Sequence, residues 1–146
     1  MIFERVRRWL ARRVGGRDVG AWGERVAEAY LCRECRFTLI GRNWRNPADA
    51  REEIDLVMRD GPALVFVEVK ARSARALVPG YFAAVTTKKK RVLRRACAAY
   101  LRGIRPRPTT FRFDVVEVEV PAGSEGARPV LRHFANVPLF AKDFRF

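Results

Sequence analysis

Two strand-forming runs flank Arg59-Asp60-Gly61-Pro62 in the stretch EEIDLVMRDGPALVFVEVKAR, residues 52–72. No other feature constrains the fold as tightly. Asp-Gly between apolar runs is a strong hairpin signal, because Gly, and often Asp, accepts positive φ. With Asp60 and Gly61 as the turn residues, Arg59 faces Pro62, Val57 faces Leu64, Asp55 faces Phe66 and Glu53 faces Glu68. Side chains alternate between faces and directly paired residues share one. This register predicts an apolar face of Ile54, Leu56, Met58, Val65, Val67 and Val69. Glu53, Asp55, Glu68 and Lys70 project from the other. A slip of one residue would turn over every side chain of one strand and destroy that separation.

Four charged groups on one strand face need a reason. In this register Asp55 and Glu68 are diagonal neighbours, roughly 7–8 Å apart at Cα, so their carboxylates can converge on one ion. Without a cation, such carboxylates repel and one is driven toward protonation. Hard oxygen donors whose shell is completed by water or phosphate suit Mg²⁺ (or Mn²⁺). The patch has no His or Cys, which argues against zinc. The competing reading is a solvated hairpin face with an ordinary Glu–Lys ion pair.

The spacing is Asp55, twelve residues, then Glu68-x-Lys70. It resembles the PD-(D/E)xK signature of restriction-endonuclease-like nucleases, with Ile54 where that signature has Pro. The resemblance implies metal-holding roles for Asp55 and Glu68. It implies that Lys70 positions or activates the attacking water.

Charge supports a polyanionic partner. The net charge is +14, with 25 Arg and 5 Lys among 146 residues. Residues 1–17 hold six Arg against one acid, and residues 86–107 hold nine basic residues and no acid; elsewhere the two signs balance. Two concentrated basic segments are the footprint expected of phosphate binding. A solvated basic helix, or contact of the N-terminal segment with an anionic membrane, would carry the same charge. Lys88, Lys89, Lys90, Arg91, Arg94 and Arg95 are the candidate nucleic-acid-binding residues. No apolar run approaches the roughly 20 residues that span a bilayer, so stable membrane insertion is not expected. Arginines interrupt the N-terminal segment too often for a signal peptide. An odd cysteine count suits a reducing compartment, and the chain is expected in the cytoplasm. Cys32 and Cys35 form a CxxC, but only Cys97 and His133 remain as partners, without characteristic spacing.

The chain is short enough for one domain, residues 18–146, preceded by a basic extension over 1–17. Phe3, Val6, Leu10 and Val14 predict a short amphipathic helix within that extension. A helix is predicted from about Gly20 to Glu34, with Asp18 as a candidate cap and Val26, Ala27, Tyr30 and Leu31 as its apolar stripe. Glu24 points toward that stripe, either paired there or recruited to a site. Residues 37–45 read as a strand, followed by a loop around Asn46-Pro47. The acidic hairpin comes next, then a loop over 73–85. Residues 86–102 form a basic amphipathic helix with Val92, Leu93, Ala96, Ala99 and Tyr100 inward. Strands follow at 111–120 and near Val130–Phe134. The order predicts mixed α/β layers, with a sheet flanked by helices.

The segments GAWGERVAEAYL, RNWR, EEIDLVMRDGPALVFVEVKAR, KKKRVLRRACAAYL and RFDVVEV occur in this order over residues 20–120. Together they resemble the YraN-like family, a bacterial endonuclease-like group. The resemblance implies an α/β restriction-endonuclease-like or Holliday-resolvase-like core in the order α-β-β-β-α-β. It adds Glu24 to Asp55, Glu68 and Lys70 as a catalytic candidate. It also implies DNA as partner and, by analogy with resolvases, a homodimer. Two departures stand out: Glu52 where the family has Gly before the acidic strand, and Cys35 where the first helix ends in Gly. Asp114 belongs to the same pattern and is expected to pair with Arg112.

Two functions compete. One is a Mg²⁺-dependent endonuclease, with Asp55 and Glu68 on the ion and the Val69 carbonyl as a further ligand. Glu53 is a further candidate metal ligand, and with Glu24 it would complete the surrounding shell. The other is a nucleic-acid-binding module on the same fold without turnover.

Overall fold

The computed structural model describes residues 19–73, 86–120 and 128–146. The expected helix over 1–14, the cap at Asp18 and most of the 73–85 loop lie outside these residues. The chain forms α1 (Val19–Arg33), β1 (Thr38–Asn46), β2 (Asp49–Asp60), β3 (Ala63–Ser73), α2 (Thr87–Gly103), β4 (Thr110–Val120) and β5 (Val130–Phe134). The five strands make one sheet in chain order. β1, β2 and β3 run antiparallel in succession, β3 and β4 are parallel, and β5 returns antiparallel on β4. The parallel pair requires a crossover, which contains α2. This mixed sheet in the order α-β-β-β-α-β is the restriction-endonuclease-like core that the sequence predicted.

The two helices cover opposite faces. Leu56, Met58, Val65, Val67, Val69, Val116 and Val118 pack with Trp22, Ala27 and Leu31 of α1. Val57, Leu64, Phe66, Phe113 and Val115 pack with Leu93, Ala96, Cys97 and Leu101 of α2, where Val137 and Leu139 of the C-terminal segment join them. On α1 the expected stripe forms and begins one turn earlier, at Trp22 and Gly23; on α2 it is rotated, with Cys97, Ala98 and Leu101 buried in place of Val92 and Ala99. Tyr100 stays partly buried, edge-on to Trp44 and Phe66. A Cβ on Gly23 would stand 2.6 Å from the Ala71 Cβ, so α1 reaches β3 this closely only through glycine.

The hairpin register differs from the predicted one. Asp60 pairs with Ala63, Arg59 with Leu64 and Val57 with Phe66, so Gly61 and Pro62 are the turn residues. Proline explains the shift. The residue closing a two-residue turn donates its N–H back across it, and Pro62 has none. Inside the turn, Gly61 takes φ +54°, and Pro62 follows it where its own fixed φ is tolerated. The displacement is two residues, so side-chain parity survives.

Ile54 is the second correction. It packs in the α2-side cluster, whereas Leu56 and Met58 face α1. The neighbouring strand switches in the same way. Arg42 pairs with Glu28 of α1, and Trp44 packs on Tyr100 of α2. Between Arg42 and Trp44 lies Asn43 with φ +45°, level with Asp55 in the β1–β2 register. Asn tolerates this left-handed conformation better than most side chains. The sheet therefore changes face at the level of Asn43 and Asp55.

The end of α1 also differs from the expected pattern. The left-handed residue is Arg36, φ +62°, not Cys35, and the Phe37 N–H reaches back to the Leu31 carbonyl at 2.9 Å. That is a Schellman-type closure, in which glycine would be the least strained choice at position 36.

Candidate active site

The β2–β3 ladder runs outward from the turn to Leu56 and Val67, where its regular pairing ends. Just beyond it Asp55 and Glu68 come close enough for their charges to interact. Here the Asp55 side chain replaces the ladder: its Oδ2 accepts the Val69 backbone N–H at 2.8 Å. That bond fixes the carboxylate between the two strands.

Glu68 is 3% exposed, on the α2 side of β3 among Phe66 and its neighbours. Its carboxylate is compensated by two ammonium groups. Lys70 Nζ lies 3.0 Å and Lys89 Nζ 3.5 Å from the same oxygen, Oε1. Its charge also helps burial to push the Cys97 thiol upward, which places the carboxylate close beneath α2. The Asp55 carboxyl is raised to about 7, first by burial and next by the Glu68 carboxylate. The Val69 N–H and Lys89 pull the other way, while Glu24 adds to the rise. Two carboxylates thus crowd one place, which favours the protonated form of Asp55.

The structure brings Asp55, Glu68 and Lys70 together, and Lys89 with them. Glu24 comes near Asp55 from α1, where Asn43 Nδ2 donates to its Oε2 at 2.8 Å. It is therefore both paired and adjacent to the acidic centre. Glu53 is engaged elsewhere, 3.2 Å from Arg45 on β1. Glu52, which stands where the family pattern has Gly, is buried and accepts from Asn46 Nδ2 at 2.8 Å, bracing the β1–β2 turn. A groove of about 630 Å³ between α1 and β1 begins beside this centre, with Glu24, Asn43 and Leu56 in its lining and Arg25, Glu28 and Arg42 further along.

The donor chemistry is all oxygen. Among the described residues no three His, Cys, Asp or Glu side chains gather as a metal cluster. The centre is a pair, Asp55 and Glu68. A pair of carboxylates that repel each other fits a hard divalent ion that keeps several waters.

The basic helix divides its labour. Lys88, Arg91 and Arg95 are exposed and, at spacings of three and four, lie along one side of α2. Lys90 is half-buried. Lys89 turns to Glu68 instead, and Arg94 donates to the Leu139 carbonyl at 3.3 Å, tying down the C-terminal segment. Sequence spacing could not separate these roles, because only the docking angle of α2 decides which lysine meets β3. The placement of Asn43 was equally hidden, although RNWR contained it.

The second charged cluster is structural. Asp114 is fully buried, with Arg112 Nε at 2.9 Å, His133 Nε2 at 2.9 Å and the Asn136 N–H at 2.9 Å. Burial alone would raise its carboxyl, but these three partners hold it below the usual value. Arg112 continues to Asp60 at 2.9 Å, so the pairing expected for Asp114 forms and extends to the hairpin turn. Cys35 Sγ lies 3.9 Å from His133 Nδ1, whereas Cys97 is buried in the opposite cluster. The cysteines and His133 therefore do not assemble around one point.

No helix among the described residues is long and apolar enough to cross a membrane. The model of the uncharacterised protein family UPF0102 matches residues 23–118, which span most of α1, β1 through β3, α2 and most of β4. A UPF0102 protein of Symbiobacterium thermophilum is 44% identical over 104 residues, covering 70% of this chain and 83% of its own. One from Streptomyces griseus is 43% identical over 123 residues, covering 82% and 94%. One from Geobacter metallireducens is 35% identical over 120 residues, covering 82% and 91%. The matched span carries every residue of the acidic centre, and the chain belongs to UPF0102, the YraN-like family of uncharacterised bacterial proteins.

Proposed function

We propose that this protein is a metal-dependent endonuclease that hydrolyses phosphodiester bonds in nucleic acid, DNA by preference, in the manner of PD-(D/E)xK and resolvase-like enzymes. One observation carries the reading. Asp55 and Glu68 converge from adjacent strands where the ladder ends, Asp55 held on the Val69 N–H and Lys70 Nζ 3.0 Å from Glu68. A solvated hairpin face has no need to bury Glu68 or to anchor Asp55 on a backbone N–H.

Asp55 and Glu68 are the residues that would hold Mg²⁺ or Mn²⁺. The ion, when bound, supplies a water of lowered pKa and stabilises charge at the phosphate in the transition state. Lys70 orients the attacking water or the scissile phosphate from the rim. Glu24, steadied by Asn43, completes the surrounding shell from α1. Lys88, Arg91 and Arg95 hold backbone phosphates, which position the substrate without reading sequence. Lys90 and Arg94 add charge to the same helix. Glu53, paired with Arg45, belongs to the outer shell. A homodimer would place two such centres on two strands.

A specific observation also favours the non-catalytic reading. Glu68 is already neutralised by two lysines, as a purely structural charge cluster would be. One experiment separates the two. Labelled single-stranded, duplex and four-way-junction DNA, and RNA, are incubated with Mg²⁺ or Mn²⁺ and with EDTA, beside Lys70→Ala. Metal-dependent cutting that disappears in the variant supports the nuclease. Salt-sensitive binding without cutting, indifferent to Lys70→Ala, supports the binding module.

A further inference from the structure

The first turn of α2 is electrostatically unusual. Thr86 caps it, its hydroxyl oxygen accepting the Lys89 N–H at 3.1 Å, and the turn that follows holds Lys88, Lys89 and Lys90 with no acid. A helix N-terminus already carries partial positive charge, so cations there are unfavourable unless an anion answers them. Lys89 finds such an anion in Glu68. The cap fixes the Lys89 backbone, and its side chain, 41% exposed, crosses to β3.

Glu68 Oε1 therefore carries two ammonium groups from two elements. They are not equivalent. Lys70 sits two residues along the same strand at 3.0 Å, and its position is set by the β3–β4 ladder. Lys89 comes from across the helix–sheet boundary at 3.5 Å; the two side chains are similarly exposed, 35% and 41%, so the longer distance and the separate element make Lys89 the looser partner. A divalent ion on the Glu68 carboxylate would meet both, and mutual repulsion would act on the looser one.

We propose that Lys89 is an internal counter-cation of Glu68 that competes with a divalent ion for that carboxylate, so that it sets the ion's threshold at the acidic centre. This rests on the metal-dependent reading of the site. It assigns Lys89 a positioning role distinct from the phosphate-binding stripe of Lys88, Arg91 and Arg95. Once displaced, the ammonium remains at the mouth of the centre, where an incoming phosphate can take it.

The test is Mn²⁺ affinity, read by electron paramagnetic resonance of free Mn²⁺ or by calorimetry, without nucleic acid and at constant ionic strength. Wild type is compared with Lys89→Met, Lys89→Arg, Lys88→Met and Asp55→Asn, each checked for a native thermal melt. Lys89→Met is expected to bind about fivefold more tightly, the size of effect a partly exposed charge pair can exert. Lys89→Arg should stay near wild type, since it keeps the charge. Lys88→Met, which removes the same charge one residue away, should move affinity much less. Equal tightening in Lys88→Met and Lys89→Met would overturn the proposal, because general electrostatics would then suffice. An unchanged Lys89→Met would overturn it too, while Asp55-dependent binding in wild type would leave the metal reading standing. Mn²⁺ binding that ignores Asp55→Asn would remove both.

Discussion

The Asp55 carboxylate accepts the Val69 backbone N–H at 2.8 Å where the β2–β3 ladder stops. A side chain thus takes over a bond that strand pairing would otherwise make. Its group is raised to about 7, so the folded state favours the protonated form relative to an unfolded Asp near 4. The associated stability is complete below the unfolded value and is lost as pH rises through about 7.

Asp55→Asn follows directly from that sign. The amide keeps a carbonyl acceptor for Val69 and cannot ionise. Its stability relative to wild type is expected to grow between pH 5 and pH 8 by roughly 2–4 kcal/mol, the linkage equivalent of such a shift. Urea unfolding in EDTA at both pH values measures it. A pH-independent difference would contradict the burial and Glu68 repulsion assigned here.

Cation binding should show the same proton. Mn²⁺ must displace it from Asp55, so affinity is expected to rise about tenfold per pH unit below 7 and to level off above. Titrations between pH 5.5 and 8.5 test this. A flat profile below pH 7 would mean that Asp55 does not bind the ion.

Asp114 behaves in the opposite sense. Its carboxyl is held low by His133, Arg112 and Asn136, so its stabilisation is present above the ordinary carboxylate range and lost as pH falls through its lowered value. Asp114→Ala leaves Arg112 and His133 without their shared anion and is expected to cost about 3–5 kcal/mol. Its effect on cleavage should follow only from folding, which a comparison of activity per folded molecule would reveal.

Gly23→Ala should destabilise the protein by roughly 1–3 kcal/mol through overpacking against Ala71, although alanine favours helix intrinsically. The double variant with Ala71→Gly should recover much of the loss. Thermal melts of the three variants decide it, and a stabilised Gly23→Ala would refute the close approach.

Charge removal at Lys88, Arg91 or Arg95 should weaken nucleic-acid binding alike across sequences. Each loss should reduce the log–log salt slope by about one. Arg94→Ala should differ, lowering stability as well, because its guanidinium holds the Leu139 carbonyl. Fluorescence anisotropy over a salt series separates the two behaviours.

Periodicity alone was enough to place the strands, the two helices of the described residues, and Asp55 on one strand of the hairpin with Glu68 and Lys70 on the next, because alternation and helical spacing are local properties. The pairing of Arg112 with Asp114 was equally legible, two residues apart on one strand. What escaped was everything set by contact between distant segments. Pro62, lacking an N–H, moved the turn by one position and the register by two residues, so that Val57 meets Phe66 rather than Leu64. Ile54 packs on the opposite face from Leu56, at the level of the left-handed Asn43 on the neighbouring strand. The docking of α2 chose Lys89, from three consecutive lysines, as the partner of Glu68. Local pattern determined which residues could share a face; only tertiary packing decided which of them meet.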